Sequence, residues 1–343
     1  MRLVLGLVIL AGCTASGSPS ASPTTPPASA EASVAPSVAP SASPPLAGFF
    51  EWPDGDRPSV TRAMTGIEEL FINPGAVIDH DGTLHMFPNV FTRWPGTVQI
   101  PHLTSTDGAT WELAEPDPVM TSDDVPLTPD GHDVSSGFVT DDGTWVLVFQ
   151  TVSSEPAVIG LATAPGPDGP WRVLPDPVVT SEGTTADEDG GLTWPSVVRT
   201  DDGWAMYFTA ADRMHHGGTI AMATSPDGLA WTRRAEPVLT PDGGEFELTA
   251  LDRPRVVRTD AGGYLMVYSG QDLNNRGIAT SGDGITWTRH GDNPVLTKAH
   301  LPVLGDLWDA ALVLRDGVLT YYLEVGFAGN SGTEVHRATA PLP

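Results

Sequence analysis

Along most of the chain, apolar and polar residues alternate in short runs, and pairs of runs meet at an acidic-glycine turn. The first unit spans residues 75–87, where Ala76, Ile78, Leu84 and Met86 flank Asp81-Gly82. The pattern returns at 137–149 around Asp142-Gly143, at 196–208 around Asp202-Gly203, at 256–268 around Asp260 to Gly263, and at 312–323 around Asp316-Gly317. A period of two over such runs predicts half-buried strands. Asp-Gly between them predicts a tight hairpin, because glycine accepts the positive φ that the turn needs. Helical periodicity is poor throughout, with many Gly, Pro and Asp breaks.

A second motif ends four of the five units. It reads Ser105-Thr106-Asp107-Gly108-Ala109-Thr110-Trp111, then Pro118-Val119-Met120-Thr121. Related copies centre on Asp168-Gly169-Pro170-Trp171, on 225–231 and on 281–287, each followed by a Pro-Val pair. The tryptophans fall at 111, 171, 231 and 287, steps of 60, 60 and 56. Each unit thus holds about four strands, which is one propeller blade. The expected fold is all-β: a five-bladed β-propeller of four-stranded antiparallel blades over residues 48–343. The four repeat tryptophans are expected to pack within the blades. The fifth unit stops near Arg337-Ala338 without its Trp strand, so its edge needs cover. Residues 49–52 (Phe-Phe-Glu-Trp), or the segment just after them, are expected to supply that strand or plug the closure.

Charge narrows the partners. Lys and Arg total 17 against 43 Asp and Glu, a net charge of −26, and Lys298 is the only lysine. Such a surface repels phosphate backbones, so nucleic acid is excluded as a partner, whereas sugars remain compatible. The only cysteine is Cys13, so no intramolecular disulfide forms. Residues 1–12 carry one positive charge, a short apolar run and small residues, the parts of a secretory signal. The run is too short to span a bilayer. Leu10-Ala11-Gly12-Cys13 resembles the bacterial lipobox, which implies acylation of Cys13 and a lipid anchor outside the cytoplasm. The charged region is only Met1-Arg2, so translation is expected to start upstream. Residues 13–47 are nearly all Ser, Pro, Ala, Thr and Val and read as a tether. The membrane is expected to be touched through that anchor alone, and the propeller to be a monomer.

The repeat Ser-x-Asp-Gly-x-x-Trp, closed by Pro-Val-Leu-Thr, resembles that of the five-bladed glycosidase superfamily of invertases, levansucrases and arabinanases. Asn73-Pro74-Gly75 and His85-Met86-Phe87 are similar to the Asn-Asp-Pro-Asn-Gly and His-Leu-Phe-Tyr regions of invertases. Ser135-Ser136-Gly137-Phe138 is similar to their Ser-Gly-Ser strand. Sialidase Asp-boxes differ, because they separate Asp from Gly by one residue. The resemblance implies a central funnel into which the innermost strands carry three carboxylates: a base or nucleophile, a general acid, and an acid that orients or tunes it. Hydrolysis needs two flanking carboxyl groups, one to protonate the leaving oxygen and one to serve the opposite face.

Counted from the Asp-Gly turns, the three positions fall on Asn73, Trp194 and Asp252. An amide cannot act as a base, so the set departs from the family pattern. Asp133 and Asp309, at the mouths of the second and fifth inner strands, complete a shifted catalytic set with Asp252 as the acid. An aspartate at the start of a strand also commonly caps a loop. Asn73, Trp194, Arg253, Trp308, Arg93 and Asp212 are the expected substrate-binding residues, because indole packs on the C–H faces of sugars while hydroxyls need fixed partners. Glu247 and the run at 187–189 read as solvated loop charges, Glu247 being able to reach the funnel. His215-His216 lacks the spaced ligands of a metal site. No metal and no cofactor are expected, apart from a place for Ca²⁺ in the channel. Carbohydrate is the expected partner. Three functions follow in order: a glycoside hydrolase, a non-catalytic sugar-binding propeller, and an interaction platform that nothing specific supports.

Overall fold

Five antiparallel sheets stand around a common axis, each built outward from a long first strand. The structure, a computed structural model, describes residues 49–128, 131–152, 156–181, 190–212, 217–327 and 331–342. The signal, Cys13, the tether and the runs at 187–189 and 213–216 lie outside the described residues. The second, third and fourth blades are four-stranded meanders, as expected. The second runs His132–Val139, Trp145–Thr151, Ile159–Ala164 and Arg172–Val173. The third runs Gly191–Thr200, Gly203–Asp212, Gly217–Ser225 and Thr232–Arg233. The fourth runs Asp252–Arg258, Tyr264–Ser269, Arg276–Ser281 and Thr288–Arg289.

The first blade departs from the repeat. Beside Phe71–His80, Thr83–Phe91, Leu103–Ser105 and Glu112–Leu113 it carries two short extra strands, Val98–Ile100 and Met120–Thr121. The fifth blade has three strands of its own, Gly305–Arg315, Val318–Phe327 and Thr333–Pro341. Its open edge is covered from the start of the propeller. Glu51 pairs antiparallel with Thr339, with both backbone bonds at 2.8 Å, and Val60 pairs with Val335. Phe50 stacks on Tyr321 at 5.4 Å, and Arg337 holds Asp54 through two bonds of 2.9 and 3.0 Å. The segment expected to close the ring does so.

Among the described residues the apolar core divides into five clusters, one at each seam between neighbouring blades. Trp145, Phe149 and Phe87 fill the first-to-second seam, and Phe138, Trp204 and Phe208 the next. Tyr207, Tyr268 and Trp287 fill the third-to-fourth seam. Phe49, Phe50 and Tyr321 lie in the fourth-to-fifth, while Val60, Trp111 and Tyr322 lie in the seam that closes the ring. Burying such large side chains at about 25 cal/mol per Å² is the main force holding one blade to the next. The outer turns repeat one geometry. The hydroxyl of Ser281 accepts from Gly284 N–H at 2.8 Å, Asp283 accepts from Ile285 and Thr286 N–H, and Trp287 donates its indole N–H to Gly284 O at 3.2 Å. Ser105/Asp107 and Ser225/Asp227 make the same serine and aspartate bonds, and Trp231 repeats the indole bond to Gly228 O at 3.1 Å.

All five inner strands are interrupted near their starts. Their registers slip between Asn73 and Ala76, Val134 and Ser136, Thr193 and Ser196, Asp252 and Arg255, and Leu307 and Ala310. These are β-bulges, which bend a strand and re-aim its side chains. At Gly75 the bulge needs glycine: φ is +57°, and a Cβ there would lie 2.0 Å from Phe87 O.

Candidate active site in the central funnel

The bulges place their side chains around one cavity of about 630 Å³. Asn73, Arg93, Asp133, Trp194, Arg253, Trp308 and Asp309 all line it, so seven of the expected residues converge. Trp94 lines it as well, and Trp94 and Trp308 are 42 % and 44 % exposed, which leaves the mouth open rather than plugged by indole. Asp212 ends the second strand of the third blade, and its side chain lies outside what is described.

Trp194 and Arg253 hold positive φ values of 56° and 49°. Left-handed backbone costs a residue with a Cβ roughly 1–2 kcal/mol, so neighbours must hold it. Gln150 of the second blade accepts from Trp194 N–H, while Arg255 donates to Trp194 O at 3.2 Å. Thr209 accepts from Arg253 N–H at 3.1 Å. The guanidinium of Arg253 then lies 4.2 Å from the Trp194 ring centroid, a cation–π stack along the cavity wall.

That turn of the chain also corrects an expectation. Asp252, read as the funnel acid, does not line the cavity. It sits behind Arg253, 2 % exposed, accepting from Thr209 at 2.9 Å and from Arg253 at 2.6 Å. The bulge sends residue 253, not 252, towards the axis. Glu247 is corrected as well: it is neither solvated nor in the funnel. It is buried in the fourth blade, accepting from Tyr268 OH and from two nitrogens of Arg289, each at 2.7 Å.

Asp133 is fixed by three donors: Asn73 at 3.2 Å, Asn89 at 3.2 Å and Ser135 at 3.1 Å. Asn73 in turn accepts from Gly75 N–H and from Asn89. The amide that replaces the expected first-blade carboxylate therefore positions Asp133. Burial, then the charges of Asp309 and Glu324, push the Asp133 carboxyl well above the usual carboxylate range.

Asp309 is 1 % exposed and ion-paired with Arg255 through Oδ1, while its Oδ2 has no hydrogen-bond partner. Arg255 also donates to Ala310 O and Pro254 O, tying the fourth and fifth inner strands together. The backbone of Trp308 is held by Arg276, fully buried, at 2.7 Å, and that of Leu307 by Asn274 at 2.8 Å.

Sequence reading missed Glu324. It lies on the second strand of the fifth blade, lines the cavity, and accepts from Asp309 N–H at 3.2 Å. Burial first, and Asp309 second, push its carboxyl up to about 8. Its signal was present: it is the only charged residue in the run 318–327. Asp133, Asp306, Asp309 and Glu324 thus line one cavity, in which burial raises Asp133 and carries Glu324 to about 8 while Asp309 is paired with the buried Arg255. Pairs of acids with separated proton affinities are the usual basis of acid–base division of labour. Among the described residues, no group of three or more His, Cys, Asp or Glu side chains is arranged to hold a metal ion.

The same propeller occurs in solved glycoside hydrolases. One, of a study in which the GH130 family of mannoside phosphorylases contains hydrolases that target β-1,2 mannosidic linkages in Candida mannan, matches with a TM-score of 0.63 at 18 % identity, over 90 % of this chain and 98 % of that one. A putative glycosidase from Bacteroides thetaiotaomicron matches at 0.62 and 18 %, over 86 % and 97 %. A thermostable family-43 glycoside hydrolase matches at 0.60 and 16 %, over 82 % and 91 %. No protein-family model and no curated protein sequence matches the chain. At these identities the likeness is one of fold: the chain is a five-bladed β-propeller of the kind these proteins share.

Proposed function

We propose that this protein is an extracytoplasmic glycoside hydrolase that cleaves glycosidic bonds of an oligo- or polysaccharide in the central funnel, held at the membrane by lipid on Cys13. The observation that carries the reading is Glu324 beside Asp309 in an open, indole-walled cavity. A carboxyl that keeps its proton up to about pH 8 suits donation to a leaving oxygen. The ion-paired Asp309 is the candidate for the second carboxyl, with Asp133 as the tuning acid. Asp252 takes no part beyond fixing Arg253. The anchor rests on the lipobox-like 10–13 and the Ser/Pro/Ala-rich tether.

A second reading has its own observation. Asn73 stands where a carboxylate is expected, and Asp133 is already bound by three donors. Both suit a propeller that captures sugar without cutting it. A screen for reducing-end release across a glycan panel, run beside a binding assay, separates the two. The hydrolase releases product, and Glu324→Gln lowers the rate by about 10²–10⁴-fold. Glycans that bind without release would replace hydrolase by capture protein. Labelled palmitate is expected on the wild type and absent from Cys13→Ala.

A further inference from the structure

Most charges around the cavity are held in ion pairs. Its lining acids are Asp133, Asp306, Asp309 and Glu324. Burial pushes Glu324 up to about 8 and raises Asp133 well above the usual carboxylate range. Asp306 is ion-paired with Lys298, the only lysine, and Asp309 with Arg255. The lining cations are Arg93 and Arg253. Arg253 is balanced by Asp252, although its Nε has no hydrogen-bond partner. Arg93 has no ion pair among the described residues and is exposed on the rim, in the turn that also presents Trp94. On a chain of net charge −26, Arg93 is thus the lining cation that no carboxylate among the described residues neutralises.

From this exposed guanidinium beside the cavity's indoles we propose that the substrate is an acidic glycan, with a uronic-acid carboxylate received by Arg93 while the sugar ring packs on the neighbouring indoles. The proposal rests on the carbohydrate reading above and deepens it. A planar guanidinium meets a carboxylate through two parallel N–H···O bonds, which no neutral hydroxyl reproduces. Trp94 follows Arg93 directly, and Trp194 and Trp308 face the same space, so ring and carboxylate can be recognised together. Asp306 and Asp309 are each held in an ion pair, and the raised proton affinities of Glu324 and Asp133 lessen the repulsion on an incoming anion.

The test uses the full chain and matched probes: oligogalacturonates and glucuronoxylan oligosaccharides, each beside its carboxyl-reduced counterpart, followed by tryptophan fluorescence. The acidic member of a pair should bind about tenfold tighter, the worth of a hydrogen bond to a charged group. That preference should shrink as salt rises. Arg93→Ala should bring the ratio near one, and Arg93→Lys should keep part of it. Arg93 is exposed, so these variants leave the core untouched. Equal or tighter binding of the reduced probes, or a ratio unmoved in Arg93→Ala, overturns the acidic-glycan proposal and leaves the hydrolase reading standing. If no acidic, reduced or other neutral glycan binds or is cut, the carbohydrate reading itself falls.

Discussion

The outer turns and the inner strand starts of this propeller use the same side chain, aspartate, to opposite ends. In the outer turns Asp107 and Asp283 accept backbone N–H bonds, and these bonds hold both carboxyls down at about 2. Around the axis, burial raises Asp133 well above its ordinary range, and it carries Glu324 up to about 8. The outer turns are near copies of one another, whereas the inner bulges carry Pro-Gly, Ser, Trp-Pro, Arg-Pro and Trp-Asp in turn. Repetition marks what every blade needs in order to fold. Variation at a shared position marks where the blades contribute different groups to one site.

The sharpest way to break that contrast is to exchange the expected losses. Glu324→Gln and Asp309→Asn should each remove about 10²–10⁴-fold of glycosidase activity, with the circular dichroism of the native sheet retained. A variant that keeps its rate would return the funnel acids to a structural role. Trp287→Ala, in an outer turn, should do the reverse. A buried Trp truncated to Ala costs about 3–5 kcal/mol, so denaturant unfolding should shift strongly while the turnover of the remaining folded protein holds.

Titration sharpens the comparison further. Glu324 binds its proton more tightly folded than unfolded, so between about 4.5 and about 8 the native state holds more protons. Stability should therefore fall as pH rises through that window, by at most about 1.4 kcal/mol for each pH unit from this group. Glu324→Gln should flatten that slope in melting curves, and an unchanged slope would assign it to other groups. The alkaline limb of the activity profile should follow the same loss of a proton near pH 8. The smallest effect lies at the other end of the scale. Asp107 and Asp283 are held down by backbone donors, so their contribution is complete above the ordinary aspartate range and fades as pH falls towards about 2. Double replacement by Asn should blunt acid unfolding without touching the alkaline slope.

Architecture was readable because each blade is written locally: an alternating run, a glycine turn, a tryptophan. Even the closing strand at Glu51 could be anticipated from a missing repeat and an unexplained aromatic stretch. The site was readable only where it follows the inner strands. Asp133, Trp194, Trp308 and Asp309 could be placed by counting from turns. Asp252 could not, because in its bulge the next residue, Arg253, takes the lining place and holds the aspartate behind it. Glu324 escaped because it comes from a second strand, where the inward position depends on how deep the strand begins. Glu247 looked like a loop charge because its partner, Arg289, lies far along the sequence.

The pairing of Glu51 with Thr339 also sets the order in which the molecule can be completed. On a ribosome the leading stretch emerges first, yet its docking edge on the last blade emerges at the end. Blades joined by short meanders can mature one after another. Phe49 and Phe50 must wait exposed until the fifth blade has been made. Any chaperone that captures the chain during that delay meets sheets that can form in a circle that cannot yet lock.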